Sequence, residues 1–245
     1  MTIFLTLPAY NEEESLPNLF TAFLAEMDKA GYQRQVVIVD DGSKDRTREV
    51  IKEWSSKLPI ELVIHPQNRG LGETIRDALA RAAEMANPDD LIVTMDADNT
   101  HSPALIPQMV AEINAGKDVV IASRYCKGSK VVGLAAHRHL MSYGARVIFQ
   151  MACPIPGVKD YTCGFRAYRA SVVQKALAQL GPALVTERSF ACMAEILLRL
   201  AKYPLKFAEV PMVLRYDLKG GASKMRVGTT TMKTLRLIAR VRSES

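Results

Sequence analysis

Two carboxylates one residue apart, Asp96 and Asp98 in Asp96-Ala97-Asp98, follow the apolar run Leu91-Ile92-Val93-Thr94-Met95. In a strand, side chains at i and i+2 leave the same face, so the pair would flank one point. Hard oxygen ligands of this kind suit Mg²⁺ or Mn²⁺, which also bind substrate phosphates and neutralise charge on a departing diphosphate. By itself an Asp at a strand end is better explained as a turn former. Three further strings change that balance. In Pro8-Ala9-Tyr10-Asn11-Glu12 the Tyr10 ring can stack on a base and Glu12 can accept from base or ribose donors. In Val39-Asp40-Asp41-Gly42-Ser43-Lys44-Asp45, Asp40 is placed to meet a base or ribose. The third, Asn68-Arg69-Gly70-Leu71-Gly72, is not a dinucleotide fingerprint, because Ile75 stands where the third glycine belongs and the loop follows a third strand, not a first.

The elements that must carry these strings alternate through residues 1–122. Apolar runs at Ile3–Leu7, Gln35–Asp40, Ile60–Ile64, Leu91–Met95 and Val119–Ala122 read as strands, the buried ones of a mostly parallel sheet with helices on both faces. Helices are expected from Asn11, capped with Glu14, to about Lys29, from Lys44 behind Ser43 to about Lys57, over Leu71–Met85, and after Ser102-Pro103. Ligands of such sheets collect at the carboxyl ends of the strands, where all four strings lie. The second half is less regular. It predicts a helix over Gly133–Met151, a short strand over Gly164–Tyr168, a helix over Arg188–Ala201, a strand over Lys206–Leu214, and a basic amphipathic helix over Met232–Arg242. With no linker or repeat, 1–245 reads as one domain: a regular first half, 1–122, and a specialised C-terminal half, 123–245.

Composition narrows the class. Hydrophobic residues at 48% and charged residues at 24% describe an ordinary globular chain. No run approaches the roughly 18–20 apolar residues of a membrane span, and Met1–Leu7 does not resemble a signal peptide. Four scattered cysteines without a CxxC pair point to reduced thiols, not zinc. The net charge of +6 conceals a division: 1–120 carries 11 Lys and Arg against 20 Asp and Glu, whereas 121–245 carries 21 against six. A basic half expects an anionic partner. Nucleic acid is disfavoured, because aromatics are only 7% of the chain and the acidic strand ends would serve no purpose there.

The ordered set "PAYNE", "VVIVDDGSKD", "NRGLG" and "DAD" resembles the family 2 inverting glycosyltransferases of GT-A fold. In the second half, Ser123-Arg124-Tyr125, Arg138, Asp160–Arg169, Glu209-Val210-Pro211, Arg215 and Ser223-Lys224 resemble the dolichol-phosphate mannosyltransferases. The resemblance implies a nucleotide-sugar site formed by Pro8, Tyr10, Glu12, Val39, Asp40, Asp96, Asp98, Arg124, Arg215 and Lys224. It implies metal ligation by Asp96 and Asp98, with Thr100 where the family often has Gln or Ser. It also implies acceptor phosphate binding near Arg138 and Ser123, catalytic parts for Asp98, Arg124 and Arg138, and a loop with Arg215 and Lys224 that closes on the diphosphate. The expected reaction is transfer of a hexose, mannose from GDP-mannose, to a polyprenyl phosphate by a peripheral enzyme. It would work at the cytoplasmic face of a membrane, with room for a membrane partner protein.

The chemistry supports a phosphate acceptor independently. A sugar hydroxyl needs a general base, whereas a phosphate monoester with second pKa near ~6 is already an anion at neutral pH and needs cations instead. The rival reading, a UDP-sugar-dependent transfer to a hydroxyl, would use Glu187 in Val185-Thr186-Glu187-Arg188 as base. The stretch from Val131 to Met151 interleaves aliphatics with Arg138, His139 and Arg146, a pattern that suits either core packing or an interfacial helix receiving a prenyl chain.

Overall fold

The computed structural model describes residues 1–218 and 237–240. In chain order these form β1 (Thr2–Ala9), α1 (Leu16–Ala30), β2 (Gln33–Asp40), α2 (Thr47–Trp54), β3 (Ile60–Ile64), α3 (Leu71–Met85), β4 (Leu91–Thr94), α4 (Ile106–Asn114), β5 (Val119–Ser123), β6 (Lys130–Val132), α5 (Ala136–Ala152), β7 (Arg166–Arg169), α6 (Ala170–Leu180), α7 (Cys192–Leu200), β8 (Phe207–Pro211) and β9 (Val213–Arg215). Seven strands make one sheet in the order β3-β2-β1-β4-β7-β5-β8, while β6 and β9 pair separately. All neighbours in the large sheet are parallel except β7, which runs antiparallel to β4 on one side and β5 on the other. The mostly parallel α/β sheet expected from the apolar runs is therefore present.

The strand chemistry explains the layering. Val36, Val37, Ile38 and Val39 of β2 and Leu91, Ile92 and Val93 of β4 are wholly inaccessible. Successive side chains face opposite ways, so such runs form only where helices cover both faces. From β1, Leu5 and Leu7 enter the same core as Leu19, Phe20 and Phe23 of α1. The α1 helix stops at Gly31, whose φ of 68° gives the left-handed cap that a side chain would strain.

Several local expectations are corrected. The first helix opens at Leu16, not at Asn11. Asn11 instead adopts a left-handed φ of 55°, and its Oδ1 accepts from the Lys44 N–H at 2.9 Å. Ser43 does not cap the second helix, which begins at Thr47; its hydroxyl accepts from the Asn11 N–H at 2.9 Å. Both polar residues fit a cap by their local pattern, but each is engaged by the opposite loop. Ser102-Pro103 opens a 3₁₀ turn, Pro103–Leu105, ahead of α4. The helix expected over Arg188–Ala201 spans only Cys192–Leu200; the Glu195 side chain accepts from the Thr186 and Glu187 N–H groups just ahead of it. The strand expected over Lys206–Leu214 divides at Met212 because β8 pairs with β5 and β9 with β6. Helix α6 was not anticipated.

Candidate functional site

The carboxyl ends of β1, β2 and β4 lie side by side: Ala9 is opposite Asp40, Thr6 is opposite Thr94, and the Met95 N–H donates to the Thr6 carbonyl at 3.2 Å. The loops leaving β1 and β2 are stitched together beyond the sheet. Besides the two Asn11 bonds, the Glu12 N–H donates to Thr47 Oγ1 at 2.8 Å and the Glu13 N–H to Asp45 Oδ2 at 3.2 Å. Val39 and Asp40 are fully buried, whereas Pro8, Tyr10 and Glu12 are half-buried. Asp40 accepts from the Ser43 N–H at 3.1 Å and from Arg48 Nε at 2.5 Å, so its charge is paired inside the protein.

The Asp96-Ala97-Asp98 turn follows β4, with Ala97 buried and both carboxylates partly accessible. Asp98 Oδ1 accepts from the Thr100 hydroxyl at 2.6 Å and from its N–H at 3.2 Å, so Thr100 braces Asp98. Asn99 takes a left-handed φ of 60° and donates from Nδ2 to the Ser15 carbonyl at 2.9 Å, pinning the turn to the start of α1. Behind Asp96 sits buried His101, Nδ1 4.0 Å from Asp96 Oδ2. A Cβ on Gly164 would lie 3.3 Å from Asp96 Oδ1, so the backbone approaches this carboxylate closely. Neither His101 nor Gly164 was anticipated as part of the site; a lone His three residues beyond the second Asp carries little signal of its own. Among the described residues there is no group of three or more His, Cys, Asp or Glu able to hold a metal. The Asp96 and Asp98 pair fits Mg²⁺ or Mn²⁺, which need only one or two carboxylates when substrate phosphates and water complete the shell.

The Asn68–Gly72 loop is fixed from below and from the side. Asp41 accepts from the Arg69 N–H at 2.8 Å and the Gly70 N–H at 2.9 Å. A Cβ on Gly72 would fall 1.7 Å from the Glu187 carbonyl oxygen, so only glycine fits. Glu187 itself is largely covered and lies 3.6 Å from Arg240 Nη2. The fully buried Glu195 organises this region. It accepts the Thr186 and Glu187 N–H groups, each at 2.8 Å, and meets Arg199 at 3.1 Å and Arg240 at 2.9 Å.

On the other side of the turn, the Arg215 N–H donates to the Thr100 carbonyl at 3.0 Å, while the Arg215 guanidinium pairs with Asp217 at 2.7 Å. Arg138 of α5 stacks 5.6 Å from the neighbouring Tyr216 ring. The turn, Arg215 and Arg138 are thus brought into one neighbourhood. Ser123 is buried, and its Oγ accepts from the Tyr125 N–H at 3.1 Å. Arg124 makes a bidentate pair with buried Asp160, at 2.8 and 2.6 Å, and reaches Thr162 Oγ1 at 2.6 Å. Burial alone would raise the Asp160 carboxyl, but the Arg124 guanidinium outweighs it and holds it below the usual carboxylate range. Burial likewise pushes the Cys163 thiol up to about 12, so it stays protonated. Lys224 and most of the basic C-terminal stretch lie outside the described residues.

Helix α5 is attached through aromatic contacts. Tyr125 OH lies 2.7 Å from Ser142 Oγ, Arg146 stacks 4.8 Å from the Tyr125 ring, and Phe149 stacks on Tyr161 at 5.0 Å. Its outer side leaves Leu140 and Met151 74% and 80% exposed, with Tyr143, Val147 and Ile148 also accessible. No helix among the described residues is long and apolar enough to cross a membrane.

Comparison with known proteins is consistent with this geometry. A family model described as glycosyl transferase family 2 matches residues 5–177. The chain is 36% identical to a dolichol-phosphate mannosyltransferase of Pyrococcus furiosus, over 98% of this chain and 64% of that protein. It is 32% identical to an undecaprenyl-phosphate 4-deoxy-4-formamido-L-arabinose transferase of Edwardsiella ictaluri, over 70% of this chain and 50% of that protein. The chain therefore spans between half and two thirds of the length of these relatives. Among solved structures it resembles glucosyl-3-phosphoglycerate synthase from Mycobacterium tuberculosis, in complex with Mn²⁺, UDP and phosphoglyceric acid. That match has a TM-score of 0.67 at 19% identity, covering 98% of this chain and 78% of that one. It also resembles residues 1–349 of TarS from S. aureus, with a TM-score of 0.63 at 18% identity, covering 98% of this chain and 65% of that one. The shared fold is GT-A.

Proposed function

We propose, from the premise that this chain belongs to glycosyl transferase family 2, that it transfers a hexose from a nucleotide sugar to a polyprenyl phosphate with inversion, and that the donor is GDP-mannose. The observation that carries the reading is the juxtaposition at the Asp96–Thr100 turn. Two partly accessible carboxylates follow β4, and the segment bearing Arg215 and Tyr216, with Arg138 of α5 over the Tyr216 ring, adjoins the same turn. The relatives named for dolichol-phosphate and undecaprenyl-phosphate transfer support the acceptor class.

In this reading Asp98 and Asp96 hold Mg²⁺ or Mn²⁺, which when bound neutralises charge on the departing diphosphate. Thr100 keeps Asp98 oriented through its hydroxyl. Pro8, Tyr10 and Glu12 line the nucleoside end. Val39 and Asp40, both buried, shape its floor, Asp40 through Ser43 and Arg48. Arg215 and Lys224 meet the diphosphate. Arg138, with Ser123, receives the acceptor phosphate. Arg124, neutralised by Asp160, contributes by holding the Ser123–Tyr125 segment in place. An acceptor phosphate is already a nucleophilic anion, so the site needs orientation and positive charge, not a base. Glu187, the base required by transfer to a hydroxyl, is engaged with Arg240. The exposed aliphatic side of α5 suits the lipid and supports a peripheral enzyme at the cytoplasmic face of a membrane, where a membrane partner protein could join it.

The test is incubation with radiolabelled GDP-mannose, Mg²⁺ and polyprenyl phosphate, with labelled UDP-glucose in parallel. An organic-extractable mannosylated product is expected. Label from UDP-glucose alone would replace the donor, and no lipid product from any nucleotide sugar would sink the reading.

A further inference from the structure

His65 follows β3 and is 3% exposed, yet both of its ring nitrogens face carboxylates. Nδ1 is 2.8 Å from Asp41 Oδ1 at the end of β2, and Nε2 is 3.0 Å from Asp77 Oδ2 on α3. Its backbone N–H donates to the Asp40 carbonyl at 2.9 Å, which ties the main chain of His65 to the end of β2. Asp41 is the carboxylate that accepts the Arg69 and Gly70 N–H groups. Asp77 also meets Arg69 Nη1 at 3.4 Å and Arg76 Nε at 3.0 Å, and Glu73 faces both arginines, at 2.5 Å from Arg69 and 3.8 Å from Arg76. A neutral imidazole has one N–H and one lone pair. Facing two ionised carboxylates, it satisfies one and turns a lone pair towards the other; the imidazolium donates to both.

We propose that His65, as the imidazolium, is a positioning residue that clamps Asp41 to Asp77 and so holds the Asn68–Gly70 loop in its donor-binding form. The clamp follows from the geometry alone; its link to the donor rests on the function proposed above. Loss of the ring proton breaks one of the two charge-assisted hydrogen bonds, so the ring no longer ties Asp41, and the Arg69 and Gly70 amides that it accepts, to Asp77 on α3.

The experiment reads the loop directly. Hydrogen exchange at the Arg69 and Gly70 amides, corrected for intrinsic exchange, is measured between pH 6 and 8.5 in the wild type and in Asp77→Asn. An Asn amide can donate to a neutral His65 while Nδ1–H still serves Asp41, so this variant removes the need for the ring charge. Wild-type protection should fall about tenfold over the range, the loss of one charge-assisted bond, whereas Asp77→Asn should change less than about twofold. Long-range ¹H–¹⁵N spectra of the ring should show both His65 nitrogens protonated at pH 6. Protection that is flat in the wild type, or that titrates equally in Asp77→Asn, overturns the proposal. The KM for GDP-mannose, whose diphosphate diester has no ionisation in this range, should rise with pH in parallel with exchange. Exchange that titrates beside an unchanged KM would remove the donor role from this loop and leave the clamp standing.

Discussion

At the residue scale the turn after β4 concentrates the consequences. Asp98 is braced by Thr100 while remaining partly open, so its orientation is set before any ligand arrives. Asp98→Asn should keep the fold and lower turnover by a factor on the order of 10³, the several kcal/mol of transition-state stabilisation a divalent cation supplies. Thermal shifts with a nucleoside diphosphate and Mn²⁺ check the cause, since stabilisation by mass action should vanish in the variant. Gly72 is a different kind of single-residue constraint. With a Cβ 1.7 Å from the Glu187 oxygen, Gly72→Ala must displace one of two backbones. A loss of about 3 kcal/mol in urea unfolding is expected, as for severe overpacking.

At the element scale, the segment after β5 and the Asp160 loop are joined by one buried ion pair. Removing one member leaves the other charged and dry, so Asp160→Asn should cost about 3–5 kcal/mol by urea denaturation. The pH dependence follows from the direction of the Asp160 shift. The paired form is the ionised one, so its stabilisation is complete above the unfolded carboxyl value of about 3.9 and is lost as pH falls through the lower folded value. In Asp160→Asn, acid unfolding should lose that component of its slope. The same scale shows what was legible beforehand. Strands β1, β2, β4 and β5 were readable because continuous apolar runs exist only where both faces are buried, whereas β3, at the sheet edge, was readable from its apolar composition alone; the donor strings were found because they follow strands. Helix starts were misplaced because Asn11 and Ser43 bond across two loops, information that is 32 or 33 residues distant in the chain. The antiparallel direction of β7 was not readable either, since Arg166-Ala167-Tyr168-Arg169 carries no sign of which strands it joins. His65 was invisible for a similar reason: its partners come from β2 and α3.

At the scale of the whole molecule, the chain divides into an acidic first half and a basic second half, and α5 presents aliphatic side chains outward. Leu140→Asp together with Met151→Asp should weaken sedimentation with anionic vesicles by at least tenfold, since each inserted side chain contributes about 1.5–3 kcal/mol. Activity on a short-chain, water-soluble prenyl phosphate should be retained. The placement of β7 has one more consequence, and it concerns synthesis on the ribosome. Strand β4 waits beside an empty slot until residues 166–169 emerge, and β5 has no partner in the sheet before then. At roughly 5–20 residues per second, the nascent chain carries open hydrogen-bonding edges for several seconds. A fragment ending at residue 122 should therefore aggregate when made alone, and stalled chains of that length should recruit chaperones that chains extending past β8 no longer hold.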